Sequence, residues 1–557
     1  MEIEALLNTA TEIVTPWAQE TCTPEPNRLD AVLEASQLAP AVSALLQARW
    51  GYLSAITGLD LGPEAGQLEA LYHFCSGPVI LTLRLRTPHQ APEIPSICQL
   101  IPSASLYERE LSEMFGIAIT DTPDPSRLFL PDDWPAGSYP LRKDFIPPQM
   151  TPEERRAIHT TEEMPSQAGQ TFIIPIGPQH PALKEPGHFE FTVDGEVVIG
   201  ASVRLGYVHR GLEKACEERN WTQSLYLMER ACGICSHTHA YAYVLGVERL
   251  ANVEVPARAQ AIRELVAGLE RIHSHLLWLG VAAHEAGFET LFMLAWRDRE
   301  VIMDLLENLT GNRVNYSANV LGGVKFDVTA EHADAIRKGM EYLEQRALHY
   351  LDVVTHDAAF LQRTRGVGIT TAEQAELLGL VGPTARASGI VRDIRVEAPY
   401  GAYTHFPVSS VRETAGDLEA KFIVRLKEIG VSCKAILTIL DNLPAGELTT
   451  RMPRRIPAGE TISRVEAPRG ELLYFIKSNG GEKPERIKAR TPSICNFASV
   501  LHLVIGHQLA DVPMILAGID PCFSCNDRLV TIRRPDHARQ TWAWEDLRRY
   551  AIEYYRR

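Results

Sequence analysis

Apolar positions along the chain follow two regimes. Up to about residue 145 they are mixed: Ala31–Gly51 carries the three-to-four-residue spacing of a helix, whereas Val79–Arg86 (VILTLRLR) alternates like a half-buried strand. Tyr107–Phe115 (YERELSEMF) predicts a helix with acidic first-turn residues, and the proline-punctuated stretch Asp121–Tyr139 predicts a loop. From Pro147 to about Ala168 the chain turns polar and proline-rich, the composition of an interdomain linker. Short strands are then expected at Phe172–Ile176, His188–Val193 and, after the Asp194-Gly195 turn, Val197–Val203. Beyond Trp221 the helical period dominates, in Ala257–Gly280, Trp296–Thr310, Ala330–Phe360 and Asp417–Asp441. No internal repeat or low-complexity tract interrupts it. The pattern predicts an α+β protein: a small α+β domain over 1–146, a linker over 147–170, and a large, mainly helical domain over 171–528 that opens on a short β-sheet. Residues 529–557 follow as an extension.

Composition narrows the class. The 557 residues are 45% hydrophobic and 22% charged, which suits sizeable globular cores. No apolar run approaches the roughly 18 residues needed to cross a bilayer, so membrane association is expected to run through partners. Glu2, Glu4, Glu12, Glu20 and Glu25 precede the first basic residue, Arg28, the reverse of a secretory leader, and a cytoplasmic location is expected. The net charge of −15 is uneven: residues 1–150 hold 8 Lys/Arg against 19 Asp/Glu. An acidic N-terminal part argues against nucleic acid as a partner. Ten cysteines are too few for a disulfide scaffold in a chain of this length, so clustered ones point to metal or catalysis.

Two Cys-x-x-Cys elements carry the strongest chemical signal. Cys232-Gly-Ile-Cys235 lies in MERACGICSHTH, and Cys522-Phe-Ser-Cys525 in DPCFSCNDR, 287 residues further on. Four thiolates presented two by two suit a soft or borderline metal. Spacing alone leaves structural zinc, an iron–sulfur cluster and a catalytic metal open; two such pairs weaken a thiol–disulfide reading. The other six cysteines (22, 75, 98, 216, 433 and 495) read as ordinary core thiols.

The residues around these motifs resemble the large subunit of nickel–iron hydrogenases. His209-Arg-Gly-Leu-Glu213 is similar to that family's Arg-Gly-x-Glu element, Glu466-Ala-Pro-Arg-Gly470 to its Ala-Pro-Arg-Gly element, and Lys184-Glu-Pro-Gly-His188 to the segment that supplies a proton-relay glutamate. YERELSEMFGI and RLFLPDDWPAGSYPLRKDF resemble the 30-kDa-type subunit of respiratory complex I; GPQHPALKEPGHF, GPTARASGIVRDIR and EAPRGEL resemble its 49-kDa-type subunit. Together they point to the group 4, membrane-associated hydrogenases of the formate hydrogenlyase and hydrogenase-4 type, with the two subunits fused. The rival reading is a complex I subunit forming a quinone site without a Ni–Fe centre. The intact four-cysteine set speaks against it, as does Ala182-Leu-Lys-Glu185 where complex I carries a further histidine. An inert scaffold has no use for four thiolates.

The resemblance implies a Ni–Fe centre whose iron carries cyanide and carbon monoxide. Cys232 and Cys522 would be terminal nickel thiolates, and Cys235 and Cys525 would bridge the metals. It further implies that His239 donates to a bridging sulfur, that Arg469, set by Pro468, overhangs the metals, and that Asp520 pairs with that arginine. Glu185 would be the proton relay, with Glu213 in outer metal contacts. The family's further magnesium or iron site near the C-terminus meets a departure here, since Arg528 stands where uptake hydrogenases carry a histidine. His237 reads as surface or structural, His273 and His275 as helix-packing histidines at a subunit face, and Asp417, Arg425 and Glu428 as solvated or interface charges. Implied partners are a small subunit with a [4Fe–4S] cluster, a ferredoxin-like electron carrier, integral membrane subunits, and a maturation protease with nickel-insertion proteins. The chain is then expected to sit peripherally on the cytoplasmic side of the membrane, and the tail to be cut between Arg528 and Leu529 on maturation.

Overall fold

The computed structural model describes residues 3–131, 134–147, 171–180 and 183–526. The linker expected at 147–170 lies outside these residues apart from its first, as does the tail expected to be cut after Arg528. The chain opens with helix Ile3–Val14 and a five-stranded sheet of β1 (Ala18–Glu25), β2 (Arg28–Leu33), β3 (Tyr52–Asp60), β4 (Gln67–Ser76) and β5 (Val79–Pro88). Its order is β1-β2-β5-β4-β3, antiparallel except for the β2/β5 pair. Helix Leu38–Gln47 joins β2 to β3, and helix Ala104–Phe115 contributes Leu106, Tyr107, Leu111 and Phe115 to the same core.

One expectation needs correction here, and two strands carried none. Ala31–Gly51 is not one helix: Ala31 and Leu33 are buried in β2, and the helix begins only at Leu38. The strands Tyr52–Asp60 and Gln67–Ser76 carry no readable signal because nearly every residue in them is buried, so their sequence shows no alternation.

Strands Thr171–Ile176, His188–Asp194 and Val197–Arg204 form the expected antiparallel sheet. Its inner face, Phe189, Phe191 and Val193, packs on helix Pro492–Leu503 through Phe497. The helical part is built on Ala257–Glu285, Glu289–Thr310, Ala330–His356 and Leu418–Asp441, all longer than or close to their sequence signals. No helix among the described residues is long and apolar enough to cross a membrane. A second unexpected sheet lies late in the chain: Gly459–Ala467, Gly470–Ser478 and Arg486–Arg490, antiparallel and almost wholly buried.

That late sheet is locked to the N-terminal sheet by buried charge. Glu471 accepts hydrogen bonds from Tyr52 Oη and Ser54 Oγ, and pairs with Arg464 at 3.1 Å and with Arg490. Arg490 also donates to Ser54 Oγ at 2.7 Å. These cations hold the Glu471 carboxyl far below the ordinary carboxylate range. Removing one member of such a cluster leaves buried charge uncompensated. Glu471→Gln is therefore expected to cost about 3–5 kcal/mol, measured as a lower urea midpoint and faster limited proteolysis within residues 3–131.

Candidate metal centre

Cys232 and Cys235 lie on the turn between helices Trp221–Glu229 and Ser236–Ala251, with Cys235 at the N-cap of the second. Its position at a helix N-terminus favours the thiolate form. Cys522 and Cys525 lie on the short segment that ends in the turn of helix Phe523–Asn526. The four sulfurs meet: Cys232–Cys522 and Cys235–Cys525 are each 3.5 Å apart, and Cys522–Cys525 3.0 Å. All four side chains are buried. These separations exceed the roughly 2.05 Å of a disulfide and come close to the edge of a thiolate set around a metal with ~2.3 Å metal–sulfur bonds. The donor set thus fits a thiophilic metal.

The cluster titrates unevenly. Hydrogen bonds from Cys232 and Cys525 lower the Cys235 thiol to about 7, whereas Cys525 is pushed well up by burial and by its sulfur neighbours. One thiolate suppresses the next, so full deprotonation needs a cation.

Each loop is held largely from outside itself, with one bond inside the second. Glu270, on helix Ala257–Glu285, accepts from the backbone N–H of His237 (2.7 Å) and Thr238 (3.0 Å) and from Thr238 Oγ1, capping the helix that follows Cys235. His273 Nε2 bonds Ile234 O at 3.0 Å, inside the first cysteine loop. Cys522 N–H donates to Ser493 Oγ at 3.1 Å, and Asn526 Nδ2 donates to Cys522 O at 2.8 Å. Arg210 clips the two loops together, its Nη2 donating to Ala231 O at 2.5 Å and Ser524 O at 3.2 Å.

Arg469 and Pro468 form the two-residue tip of the hairpin joining Gly459–Ala467 to Gly470–Ser478. Gly382 packs against that tip so closely, with φ +67°, that a β-carbon on it would lie 2.2 Å from Arg469 O. The buried Arg469 guanidinium donates from Nε to Asp520 O (2.8 Å), from Nη2 to Asp520 Oδ1 (3.0 Å) and from Nη1 to Ser274 Oγ (3.4 Å). Asp520 and the nearby Cys522, Cys235 and Cys232 all favour its charged form. Lys184 Nζ reaches the same Asp520 Oδ1 at 2.6 Å, and Arg425, stacked 4.0 Å over Trp278, adds a third cation around that carboxylate. Glu185 accepts from Ser524 N–H at 2.9 Å and from Ser524 Oγ. Burial, with Cys522 nearby, raises its carboxyl pKa. A ring nitrogen of His239 lies within 4.8 Å of the Cys235 and Cys525 sulfurs, and its Nδ1 shares a 2.7 Å hydrogen bond with Tyr474 Oη.

Glu213 is buried against strand Arg486–Arg490. Its carboxylate pairs with Arg486 at 2.8 Å and accepts from Ala489 N–H at 3.1 Å. Several residues set aside as peripheral are instead interior. His275 bonds Glu428 at 2.9 Å; Glu428 pairs with Arg386 at 2.7 Å; and Arg386 reaches Glu466 at 2.8 Å, a wholly buried layer behind the Arg469 hairpin. Asp417 is buried, capping helix Leu418–Asp441 at Ala420 N. Histidines 273 and 275 therefore pack inside this chain, and Cys22, read as a core thiol, is exposed. His237 is buried and structural, bonding Arg263 O at 2.8 Å. Lys184, Arg210, Glu270 and Tyr474 were missed because their partners lie tens to hundreds of residues away; only Lys184 and Arg210 stood inside recognisable motifs.

Comparison with known proteins shows the family. Residues 210–281 match the nickel-dependent hydrogenase family, residues 285–456 and 449–528 the 49 Kd subunit of respiratory-chain NADH dehydrogenase, and residues 31–151 its 30 Kd subunit. The chain is 34% identical over 534 residues to formate hydrogenlyase subunit 5 of Escherichia coli strain K12, covering 95% of this chain and 94% of that one. It is 39% identical to the membrane-bound hydrogenase subunit alpha of Pyrococcus furiosus, over 65% of this chain and 88% of that one. A similar relation holds with an NADH-quinone oxidoreductase subunit of Phocaeicola vulgatus (33%; 84% and 93%). A chain in the structure of the membrane-bound sulfane sulfur reductase, an archaeal respiratory membrane complex, superposes with a TM-score of 0.62 at 32% identity, over 64% of this chain and 99% of that one. Fold and site define a nickel-dependent hydrogenase large subunit built on the complex I plan. The chain belongs to the group 4 nickel–iron hydrogenase large subunits, in the formate hydrogenlyase and hydrogenase-4 branch.

Arg210→Met removes the charged donor that both cysteine loops share. It is expected to cost about 2–3 kcal/mol in thermal unfolding and to lower the nickel retained per chain after gel filtration.

Proposed function

We propose that the chain is the catalytic large subunit of a membrane-associated hydrogenase that interconverts H2 with protons and electrons. The observation that carries this reading is the convergence of four buried thiols beneath the Arg469–Asp520–Lys184 cluster. Cys232 and Cys522 would hold nickel terminally, while Cys235 and Cys525 would bridge nickel and iron. When bound, the centre supplies a redox-active Lewis acid at which the H–H bond is made or broken.

Charge balance supports anionic ligands on the iron. Arg469, Lys184 and Arg425 against Asp520 leave two positive charges beside the cluster. Four thiolates and two divalent metals are neutral together, so two cyanides would match that excess, with carbon monoxide adding no charge. Arg469 is suited to donate to cyanide nitrogens, because Asp520 and the hairpin tip hold its planar fork in place.

Glu185 is suited to carry protons. Burial lets it hold a proton above the ordinary carboxylate range, and Ser524 ties it between Cys522 and Cys525. His239, oriented by Tyr474, would tune a bridging sulfur. Glu213, paired with Arg486, would act in the outer shell, and metal analysis tests a magnesium or iron site near the C-terminus.

Electrons would leave through a small subunit with a [4Fe–4S] cluster and ferredoxin-like carriers. Integral membrane subunits would anchor the complex on the cytoplasmic face. In this reading residues 1–146 and 171–528 correspond to the two complex I-type domains. Assembly would involve nickel-insertion proteins and a protease acting after Arg528. The quinone-site alternative finds no use for four converging thiols.

Metal analysis with infrared spectroscopy tests this directly: nickel, iron and iron-bound cyanide and carbon monoxide bands are expected, and zinc without those bands overturns it. Replacing any one of Cys232, Cys235, Cys522 or Cys525 by Ser is expected to abolish H2 turnover, since a hard oxygen substitutes poorly for thiolate. Glu185→Gln keeps an acceptor oxygen for Ser524 N–H but cannot carry a proton. It is expected to cut H2/D2 exchange by about 10²-fold or more with nickel content unchanged; should Glu213→Gln show that phenotype instead, the relay roles are exchanged.

A further inference from the structure

The residue before the relay glutamate is a lysine with only 11% of its side chain exposed, bonded to a carboxylate that already has a cation of its own. Lys184 Nζ and Arg469 Nη2 both take Asp520 Oδ1, at 2.6 and 3.0 Å, and Arg469 also holds the Asp520 backbone carbonyl. Asp520 is anchored without the lysine. A buried ion pair is seldom retained for stability, because an apolar side chain of similar length fills the same volume without the desolvation cost.

What the lysine adds is placement and charge. Lys184 and Glu185 are neighbours, and they grip the second cysteine loop on both sides of Cys522: the lysine at Asp520, two residues before it, and the glutamate at Ser524, two residues after. Asp520 itself sits in a left-handed conformation (φ +54°), and its other carboxylate oxygen is buried with no hydrogen-bond partner among the described residues.

We infer that Lys184 is a positioning residue of the metal centre: through Asp520 it straps the segment carrying Glu185 onto the loop of Cys522 and Cys525, and it supplies a fixed positive charge beside the metal pair. This rests on the hydrogenase reading above. The strap keeps Glu185 in register with Ser524, and the ammonium offsets negative charge that Arg469 alone leaves in excess.

The test uses the full chain, matured in its own complex, as wild type, Lys184→Met and Lys184→Arg. Nickel and iron per chain, cyanide and carbon monoxide infrared bands, and H2/D2 exchange are recorded for each. In Lys184→Met, exchange is expected to fall about tenfold or more while metal content stays within about twofold. Its cyanide bands are expected at lower wavenumber, because losing a nearby positive charge raises electron density on the iron. Lys184→Arg restores band positions and most of the exchange. Wild-type bands and exchange in Lys184→Met overturn the inference. If Lys184→Met takes up no metal, Lys184→Arg decides: a loaded arginine variant with wild-type bands supports the charged strap, and an equally empty one assigns the lysine to packing and overturns it. A wild-type chain without nickel, iron or those bands overturns the hydrogenase reading itself.

Discussion

Four thiols held at 3.0–3.5 Å in a buried pocket, from segments 287 residues apart, form the constraint to which the surrounding structure answers. Sulfur contacts hydrogen-bond weakly, and each thiolate formed raises the cost of the next, so the cluster cannot hold itself together. The geometry is imposed from outside. Glu270 caps the helix after Cys235, Ser493 and Asn526 fix the backbone of Cys522, and Arg210 bonds carbonyls on both loops. Glu270 and Ser493 stand on helices Ala257–Glu285 and Pro492–Leu503, and Arg210 on the segment just before helix Leu212–Glu217.

The same economy runs through the ionic layers. Arg469 reaches Asp520, two residues before Cys522, from a hairpin pinned by Gly382 in front and by Arg271, which donates to the carbonyls of Glu466 and Ala467, behind. Further out, Glu471 and Arg490 on that sheet close onto Tyr52 and Ser54 of the N-terminal sheet. Tyr107 adds a 3.1 Å contact to Cys495, on the helix that begins just past Thr491, whose hydroxyl bonds Asn526. Helix Ala104–Phe115 is thus two hydrogen bonds from the cysteine loop. Interfaces made of partnered buried charge demand mutual alignment more than they add stability.

Much of this was legible from the sequence, for identifiable reasons. Long amphipathic helices such as Ala330–His356 announce themselves through local periodicity, and the Cys-x-x-Cys pairs through local spacing. The sheet of Gly459–Arg490 was not legible: buried on both faces, it shows neither alternation nor a polar face, and Arg464, Glu466, Glu471 and Arg490 disguise it as surface. Arg425 and Glu428 were misplaced for the same reason. On a helix, a charge looks solvated until its partner is known, and for Glu428 the partners are His275 and Arg386, 153 and 42 residues away. The motif residues found their neighbours, while of the residues that position them Glu270 and Tyr474 carry no local signature, their partners lying 33 and 235 residues away.

The second cysteine loop differs from the first in how it is held. Cys232 and Cys235 sit between two helices that continue into the core, whereas Cys522 and Cys525 sit on a short stretch whose own regular structure is a single four-residue turn. Its one large apolar anchor is Phe523, packed against Phe189 and Phe497 and so tightly over Gly187 that a β-carbon there would lie 2.1 Å from the ring. Its remaining contacts are polar and come from elsewhere: Glu185, Ser493, Arg210, Arg469 and Lys184. Propensity gives such a segment no reason to fold by itself, since one turn of helix is below the length that sustains helical structure. It is a plug shaped by its socket, and the socket is lined with cations and donors placed by the other elements. Two of its polar anchors, Lys184 and Glu185, stand beside the Gly187 that makes room for the phenylalanine. One short strand approach therefore supplies both the fit of the plug and the groups that reach toward the sulfurs.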